Sequence, residues 1–197
     1  TLKVGVSNDM APFSYYDEEQ KKIVGFDIDL LDKISDYLGV EYKLYPLSMK
    51  QIEQKIKDKE IDLAIAGISI TDARQREYSF TDAYYETYLQ IVVHKNTGIT
   101  DRKDVEGMKI GVVTGTSSEE YAKEYIAEHN NKIKTYKTAE EVFKDLEDEK
   151  IDATIYDALG IQAYMKEHKD TTNLNVLDEQ LNSEESNYGI MFAKEYK

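Results

Sequence analysis

The most specific chemistry in this chain belongs to Arg74. Of 25 basic residues only three are arginines, and two of them, Arg74 and Arg76, fall in the stretch 61–85, IDLAIAGISITDARQREYSFTDAYY. A guanidinium is a planar fork that matches a carboxylate, whereas a Lys ammonium is a point charge. Arg74 follows Gly67, Ser69 and Thr71, a glycine and two hydroxyls after an apolar run, which makes the segment a candidate anion site. The Gly67 carbonyl and the Ser69 amide fall where a strand ends, the usual ligand position in α/β sheets. The competing reading is a surface Arg paired with Asp72 or Glu77, with Thr71 or Asp72 capping a short helix. Arg76, two residues on, faces elsewhere and reads as surface.

Two further places carry chemistry. Thr114-Gly115-Thr116-Ser117-Ser118-Glu119-Glu120 follows a strand pattern and opens a helix, so its Gly-Thr turn offers amides to an anion. Ser117 with Glu120 equally spells a capping box. No Lys follows the glycine, which excludes a nucleotide-type phosphate loop. Asp157 ends the run Ile151 to Tyr156, where it suits an ammonium partner or an N-cap for a helix from Ala158. An Arg and an Asp together fit a zwitterion, with carboxylate to Arg74 and ammonium to Asp157. His94, His129 and His168 stand in polar contexts with no metal spacing and read as surface. No nucleophile elbow or paired-carboxylate motif is present, so no catalytic residue, metal or cofactor is expected.

The elements that must position these residues alternate in period. β-like runs are Leu2 to Val6, Tyr42 to Tyr45, Ile61 to Ala66, Leu89 to Val93, Lys109 to Val113, Ile133 to Tyr136, Ile151 to Tyr156 and Gly189 to Ala193. Helix-period segments lie between them: Leu30, Leu31, Ile34 and Leu38; Ile52 and Ile56; Tyr121, Ala122, Tyr125 and Ile126; Ala139, Val142, Phe143 and Leu146. The alternation predicts an α/β fold with mainly parallel sheets. An internal repeat is visible. Lys59-Glu60-Ile61-Asp62 parallels Glu149-Lys150-Ile151-Asp152, and Lys3-Val4-Gly5-Val6 parallels Lys109-Ile110-Gly111-Val112. Two similarly built lobes follow. The first is 1–88 plus 187–197 and the second 89–186, joined by extended crossings near Tyr84 to Leu89 and Ser183 to Tyr188.

The 197 residues suit two such lobes. A net charge of −14 argues against a nucleic-acid or anionic-membrane partner. The absence of Cys excludes disulfides, thiolate zinc sites and a Cys nucleophile. No apolar run approaches the ~20 residues of a membrane span. The chain starts directly in a strand pattern, as an exported protein does once its signal is removed.

At these residues the chain resembles the type-2 periplasmic solute-binding proteins of the polar amino-acid group. The likeness runs through Ala11-Pro12-Phe13-Ser14-Tyr15, Gly25-Phe26-Asp27-Ile28-Asp29-Leu30, Gly67 to Arg74, Phe80-Thr81-Asp82-Ala83-Tyr84-Tyr85, Val105 to Lys109, Gly115-Thr116 and Tyr188-Gly189-Ile190. It implies a two-lobed periplasmic binding protein-like II fold with two hinge strands, closing on an amino acid that an ABC importer permease receives outside the cytoplasm. It also implies that Arg74, with Ser69 and Thr116, holds the α-carboxylate, while Gly67, Ser69 and Asp157 take the α-ammonium. Thr71, Phe13, Ser117 and Tyr156 complete the expected contacts.

Departures from the pattern follow. Met10 and Met49 stand where many relatives carry an aromatic, so the pocket differs in shape. Ser7 stands where binders of basic amino acids tend to carry an acid, which favours a neutral or acidic ligand over Lys or Arg. Relatives continue past the Tyr-Gly-Ile strand into terminal helices, which this chain is expected to lack. A sensor ectodomain of a receptor kinase or channel would use the same residues. A cyclohexadienyl dehydratase-like enzyme is the remoter alternative, with Asp157 as its general acid.

Overall fold

The computed structural model describes residues 1–194, the side chain of residue 128 excepted, as two compact units: Thr1–Glu86 with the chain from Asn187, and Thr87–Ser186. In chain order the first unit starts with β1 (Leu2–Val6), then the short strands β2 (Asp9–Met10), β3 (Ser14–Asp17) and β4 (Lys22–Val24). Helix α1 (Phe26–Leu38), β5 (Tyr42–Pro46), α2 (Met49–Lys57), β6 (Leu63–Ala64), α3 (Asp72–Glu77) and β7 (Tyr78–Phe80) follow. The second unit holds β8 (Leu89–His94), β9 (Lys109–Val113), α4 (Ser117–Tyr121), β10 (Lys132–Tyr136), α5 (Ala139–Glu147), β11 (Ala153–Asp157), α6 (Ala158–Glu167) and β12 (Leu174–Val176). The chain then returns to the first unit for β13 (Met191–Ala193).

Each unit is built on a five-stranded sheet, ordered β5-β1-β6-β13-β7 in the first and β10-β9-β11-β8-β12 in the second. The sheets are mixed, not mainly parallel. β5, β1 and β6 run parallel, and β13 is antiparallel to both β6 and β7. β10, β9 and β11 run parallel, and β8 is antiparallel to both β11 and β12. A parallel neighbour needs a crossover. α1 and α2 supply two in the first unit, whereas β13 comes back from the far end of the chain without one. A further antiparallel sheet, β2-β3-β4, is too short and too polar to announce itself as strands.

Alternation along the strands sorts the core of the first unit. Val4, Val6 and Ile65 pack with Ile28 and Leu31 of α1, while Ala64, Ala66 and Ile68 pack with Ile52 and Ile56 of α2. In the second unit Ile91 and Val93 join Ile110, Val112, Ala153, Ile155, Tyr121 and Ile126. The expected stripe through Tyr125 breaks because Ala122–Ile126 forms a π turn. Its i→i+5 bonding shifts the helical phase, and Tyr125 is left 43% exposed.

The internal repeat reappears as geometry. Asp62 Oδ2 accepts the Lys3 amide at 2.7 Å, and Asp152 Oδ2 accepts the Lys109 amide at 2.8 Å. The Asp62 and Asp152 amides donate back to the carbonyls of Lys3 and Lys109. Upstream, α2 and α5 end alike, with Lys59 and Glu149 both at positive φ (58° and 57°).

α1 begins where the β2–β3 turn docks on it. The Phe26 and Asp27 amides donate to the Pro12 and Phe13 carbonyls at 3.0 and 2.9 Å. Gly25 makes that approach possible: its φ is 128°, and a Cβ there would lie 2.3 Å from the Phe13 carbonyl oxygen. Gly25→Ala is therefore expected to lower stability by about 1–3 kcal/mol, the range for forced overpacking, read as a lower urea midpoint. An unchanged midpoint would contradict this packing.

Candidate functional site

In the first unit the site begins at Gly67, just past β6. Its φ of 58° suits glycine, and a Cβ there would meet the Met10 side chain at 3.2 Å. The Gly67 amide donates to Asp27 Oδ2 at 2.7 Å, and the Tyr84 hydroxyl donates to Asp27 Oδ1 at 2.8 Å. Ser69 forms an antiparallel bridge with Tyr188. The Ile70 amide donates to Asn187 O at 2.7 Å, and the Gly189 amide to Ile68 O at 3.1 Å, so this loop is pinned on both sides.

Thr71 then caps α3, its Oγ1 accepting the Arg74 amide at 3.1 Å. That cap places Arg74 inward: the side chain is 4% exposed, Nη1 donates to the Ser69 carbonyl at 2.9 Å, and Nε lies 3.5 Å from Glu53 Oε1. Of the two readings left open for Arg74, burial rules out a surface position, while Glu77 pairs with Lys57 and Arg76 is exposed. A buried guanidinium beside Gly67, Ser69 and Thr71 is the element an anion needs.

In the second unit the corresponding residues also lie at strand ends. Asp157 closes β11 opposite Leu89 and caps α6, its Oδ1 accepting the Leu159 and Gly160 amides at 3.0 and 3.2 Å. The capping reading is thus realised, on a carboxylate only 5% exposed. Burial pushes its pKa up to about 7 against the two amide bonds that lower it. At α4 the cap is Thr116, not Ser117. Thr116 Oγ1 accepts the Glu119 amide at 3.4 Å, and Glu119 Oε1 accepts the Gly115 amide at 3.3 Å. The cap moves one residue toward the N-terminus, next to Gly115 at φ 80°, and the reciprocal box is not formed, since Glu119 reaches Gly115 and the Thr116 amide donates to the Val113 carbonyl. Ser117 is buried in the first turn.

Several expected contacts lie deeper than expected. Phe13 is 1% exposed, enclosed by the rings of Tyr188 and Tyr85 at 4.7 and 5.2 Å, so it backs the first half-site. Met49 opens α2 and packs on the Ile52 and Ile56 cluster. Tyr156 is buried edge-on against Phe143 at 5.7 Å. Met10 is half-buried beside Gly67.

His94 corrects the surface reading of the histidines. It is buried, and its Nδ1 accepts the Asn96 amide at 3.1 Å, because it ends a strand enclosed in the second core. Among the described residues no three His, Asp or Glu side chains are arranged for a metal ion.

Asp27 is the residue sequence reasoning passed over. It is fully buried, and burial raises its carboxyl to about 6 although the Tyr84 hydroxyl and Gly67 amide both lower it. The signal was present: Asp27 stands at i relative to Leu30, Leu31 and Ile34, an acid at the head of an apolar helix face.

Comparison with known proteins identifies the family. The family described as Bacterial extracellular solute-binding proteins, family 3, matches residues 2–182. The arginine-binding extracellular protein ArtP of Bacillus subtilis (strain 168) is 29% identical over 194 residues, covering 98% of this chain and 74% of that protein. An ancestral arginine-binding protein solved with arginine bound superimposes with a TM-score of 0.90 at 33% identity, covering 99% of this chain and 85% of the other. The solved substrate-binding protein of an amino acid ABC transporter gives a TM-score of 0.87 at 28% identity, covering 99% and 86%.

The raised Asp157 carboxyl carries a sign. The folded chain keeps that proton up to pH of about 7, while the unfolded chain releases it near the ordinary 3.8. The associated stability is full below the unfolded value and is lost as pH rises through the folded one. Asp157→Asn keeps a capping oxygen and removes the ionisation. Its unfolding free energy is expected to gain on wild type by a few kcal/mol between about pH 4 and pH 7. Parallel urea curves across that range would refute the shift.

Proposed function

Because the chain belongs to family 3 of the bacterial extracellular solute-binding proteins, we propose that it captures a free amino acid outside the cytoplasm and supplies it to an ABC transporter. The observation that carries this reading is Arg74, a buried guanidinium fixed by the Ser69 carbonyl in the first unit. Arg74 takes the α-carboxylate with the Ser69 and Thr116 backbone, and Asp157 takes the α-ammonium with the Gly67 carbonyl. Thr71, Ser117 and Tyr156 support these groups. The two units, Thr1–Glu86 with the chain from Asn187 and Thr87–Ser186, each carry one charged group of the proposed recognition. Capture of a zwitterion needs no acid–base pair, so Asp157 acts as a receptor for charge.

The side chain of the ligand is read differently from the first expectation. Ser7 suggested a neutral or acidic ligand over Lys or Arg. The relatives lend that preference no support, since arginine appears in the names of both ArtP and the ancestral protein. The structure also supplies a nearby acid: Ser7 Oγ donates to Asp9 Oδ1 at 2.8 Å. A carboxylate beside position 7 suits a cationic side chain, and Met10, apolar and adaptable, lies next along the strand. Basic amino acids therefore belong in the ligand class.

The test is a thermal-shift panel of the twenty amino acids plus cystine and ornithine. Ligand at 100-fold its Kd adds about 2.7 kcal/mol of stability, so at least one member should raise the melting temperature by several degrees. A flat panel refutes the proposal. Arg74→Ala is expected to weaken binding by about 100-fold or more while the protein stays folded, the scale of a lost charge-assisted pair. Calorimetric titration showing tight binding in that variant would remove the carboxylate anchor.

A further inference from the structure

We propose that Asp27 is a positioning residue for the amino-acid half-site, orienting the Gly67 peptide and tying it to Tyr84. This rests on the reading of Gly67 and Ser69 as ligand-binding groups. Asp27 has no exposed surface, so it cannot touch a ligand itself. Its two oxygens accept from two different elements, the Gly67 amide at 2.7 Å and the Tyr84 hydroxyl at 2.8 Å. Both bonds are donated to it, which is the pattern of an ionised carboxylate.

Packing alone does not call for that charge. An apolar side chain would seat α1 against β1 without the desolvation cost of a buried carboxylate. The carboxylate adds direction. With its N–H held by Asp27 and its φ at 58°, the Gly67 residue has its peptides fixed where β6 ends. Tyr84 is fixed in turn by its own amide, which donates to the Tyr188 carbonyl at 2.9 Å, and Tyr188 bridges Ser69. The connection closes on itself: Asp27, Gly67, Ser69, Tyr188 and Tyr84 form one ring of contacts in the first unit. Tyr84 lies two residues before Glu86, the last residue of that unit's first segment. Asp27 therefore links the ligand loop to the segment by which the chain leaves.

The test compares wild type with Asp27→Leu and Asp27→Asn. Asparagine can accept from the Gly67 amide and donate to the Tyr84 hydroxyl oxygen, preserving the arrangement without the charge. Binding is read by calorimetry with the twenty amino acids plus cystine and ornithine as probes, on protein shown folded by circular dichroism. Asp27→Leu is expected to weaken binding by about tenfold or more, the scale of a hydrogen bond to a charged group. Asp27→Asn should recover most of the loss. Leucine binding within about twofold of wild type, or a folded asparagine variant as weak as leucine, overturns the proposal. Wild type that answers to no amino acid overturns the functional reading and this proposal with it.

Should Asp27→Leu fail to fold, the Gly67 amide resonance decides. In wild type it should shift with pH through a transition near 6, where burial places the Asp27 carboxyl, and that transition should vanish in Asp27→Asn. A Gly67 amide that exchanges with solvent as fast as an exposed amide in both wild type and Asp27→Asn, in place of the slow exchange a bond to residue 27 imposes, overturns the proposal.

Discussion

Asp27 is a carboxylate with no exposed surface, and the first unit is arranged around the need to satisfy it. Removing a charged group from water is costly unless hydrogen bonds replace the lost hydration. Here the replacements come from a glycine amide at a strand end and a tyrosine hydroxyl from a remote segment. Neither donor can move without stranding the charge. Two glycines shape the backbone on either side of it. Gly25 lets the β2–β3 turn reach the start of α1, and Gly67 turns the chain immediately after β6. A ring of aromatics (Phe13, Tyr85 and Tyr188) seals the first unit beside this network.

The two units solve one problem twice. Near the start of its central parallel strand each has a Lys whose amide is held by an Asp carboxylate, Asp62 in one and Asp152 in the other. Each of those Asp residues follows a helix that ends through a residue at positive φ. The clasp fixes the register of β1 with β6 and of β9 with β11 at the end opposite the candidate ligand groups. Registration matters because a slip of one residue would reverse the faces of a strand. Val4 would then exchange places with Gly5, and the contact with Ile28 and Leu31 would be lost.

Much of this was legible in residue types. Asp62 and Asp152 announced the repeat, and the apolar period of α1, α2 and α5 placed those helices. What escaped did so for physical reasons. Strands β2 to β4 have two to four residues, too few for an alternation to rise above chance. The antiparallel entry of β13 depends on where a distant segment returns, which local pattern does not encode. The move of the α4 cap from Ser117 to Thr116 goes with the backbone angle of Gly115, next to it. Phe13 and Tyr156 are both buried against aromatic rings, a depth that residue type alone does not encode. Arg74 was chosen by rarity and remains the most informative residue, because its burial converts an ambiguous surface cation into a fixed one.

Arg74 and Asp157 share a condition that bears directly on recognition. Each is a charged group with about one twentieth of its surface exposed, and each is oriented by backbone: the Ser69 carbonyl for the guanidinium, the Leu159 and Gly160 amides for the carboxylate. Around Arg74 the Ser69 carbonyl is joined by the Glu53 carboxylate, 3.5 Å from Nε. At Asp157 burial outweighs the two amides, which raises the carboxyl. A ligand ammonium would reverse the balance by favouring the ionised form. In the proposed reading the carboxylate of a zwitterion would meet Arg74 and its ammonium Asp157, so the amino-acid backbone would be the feature that every ligand shares. The ligand side chain would then fall to the softer surroundings of Ser7, Asp9 and Met10.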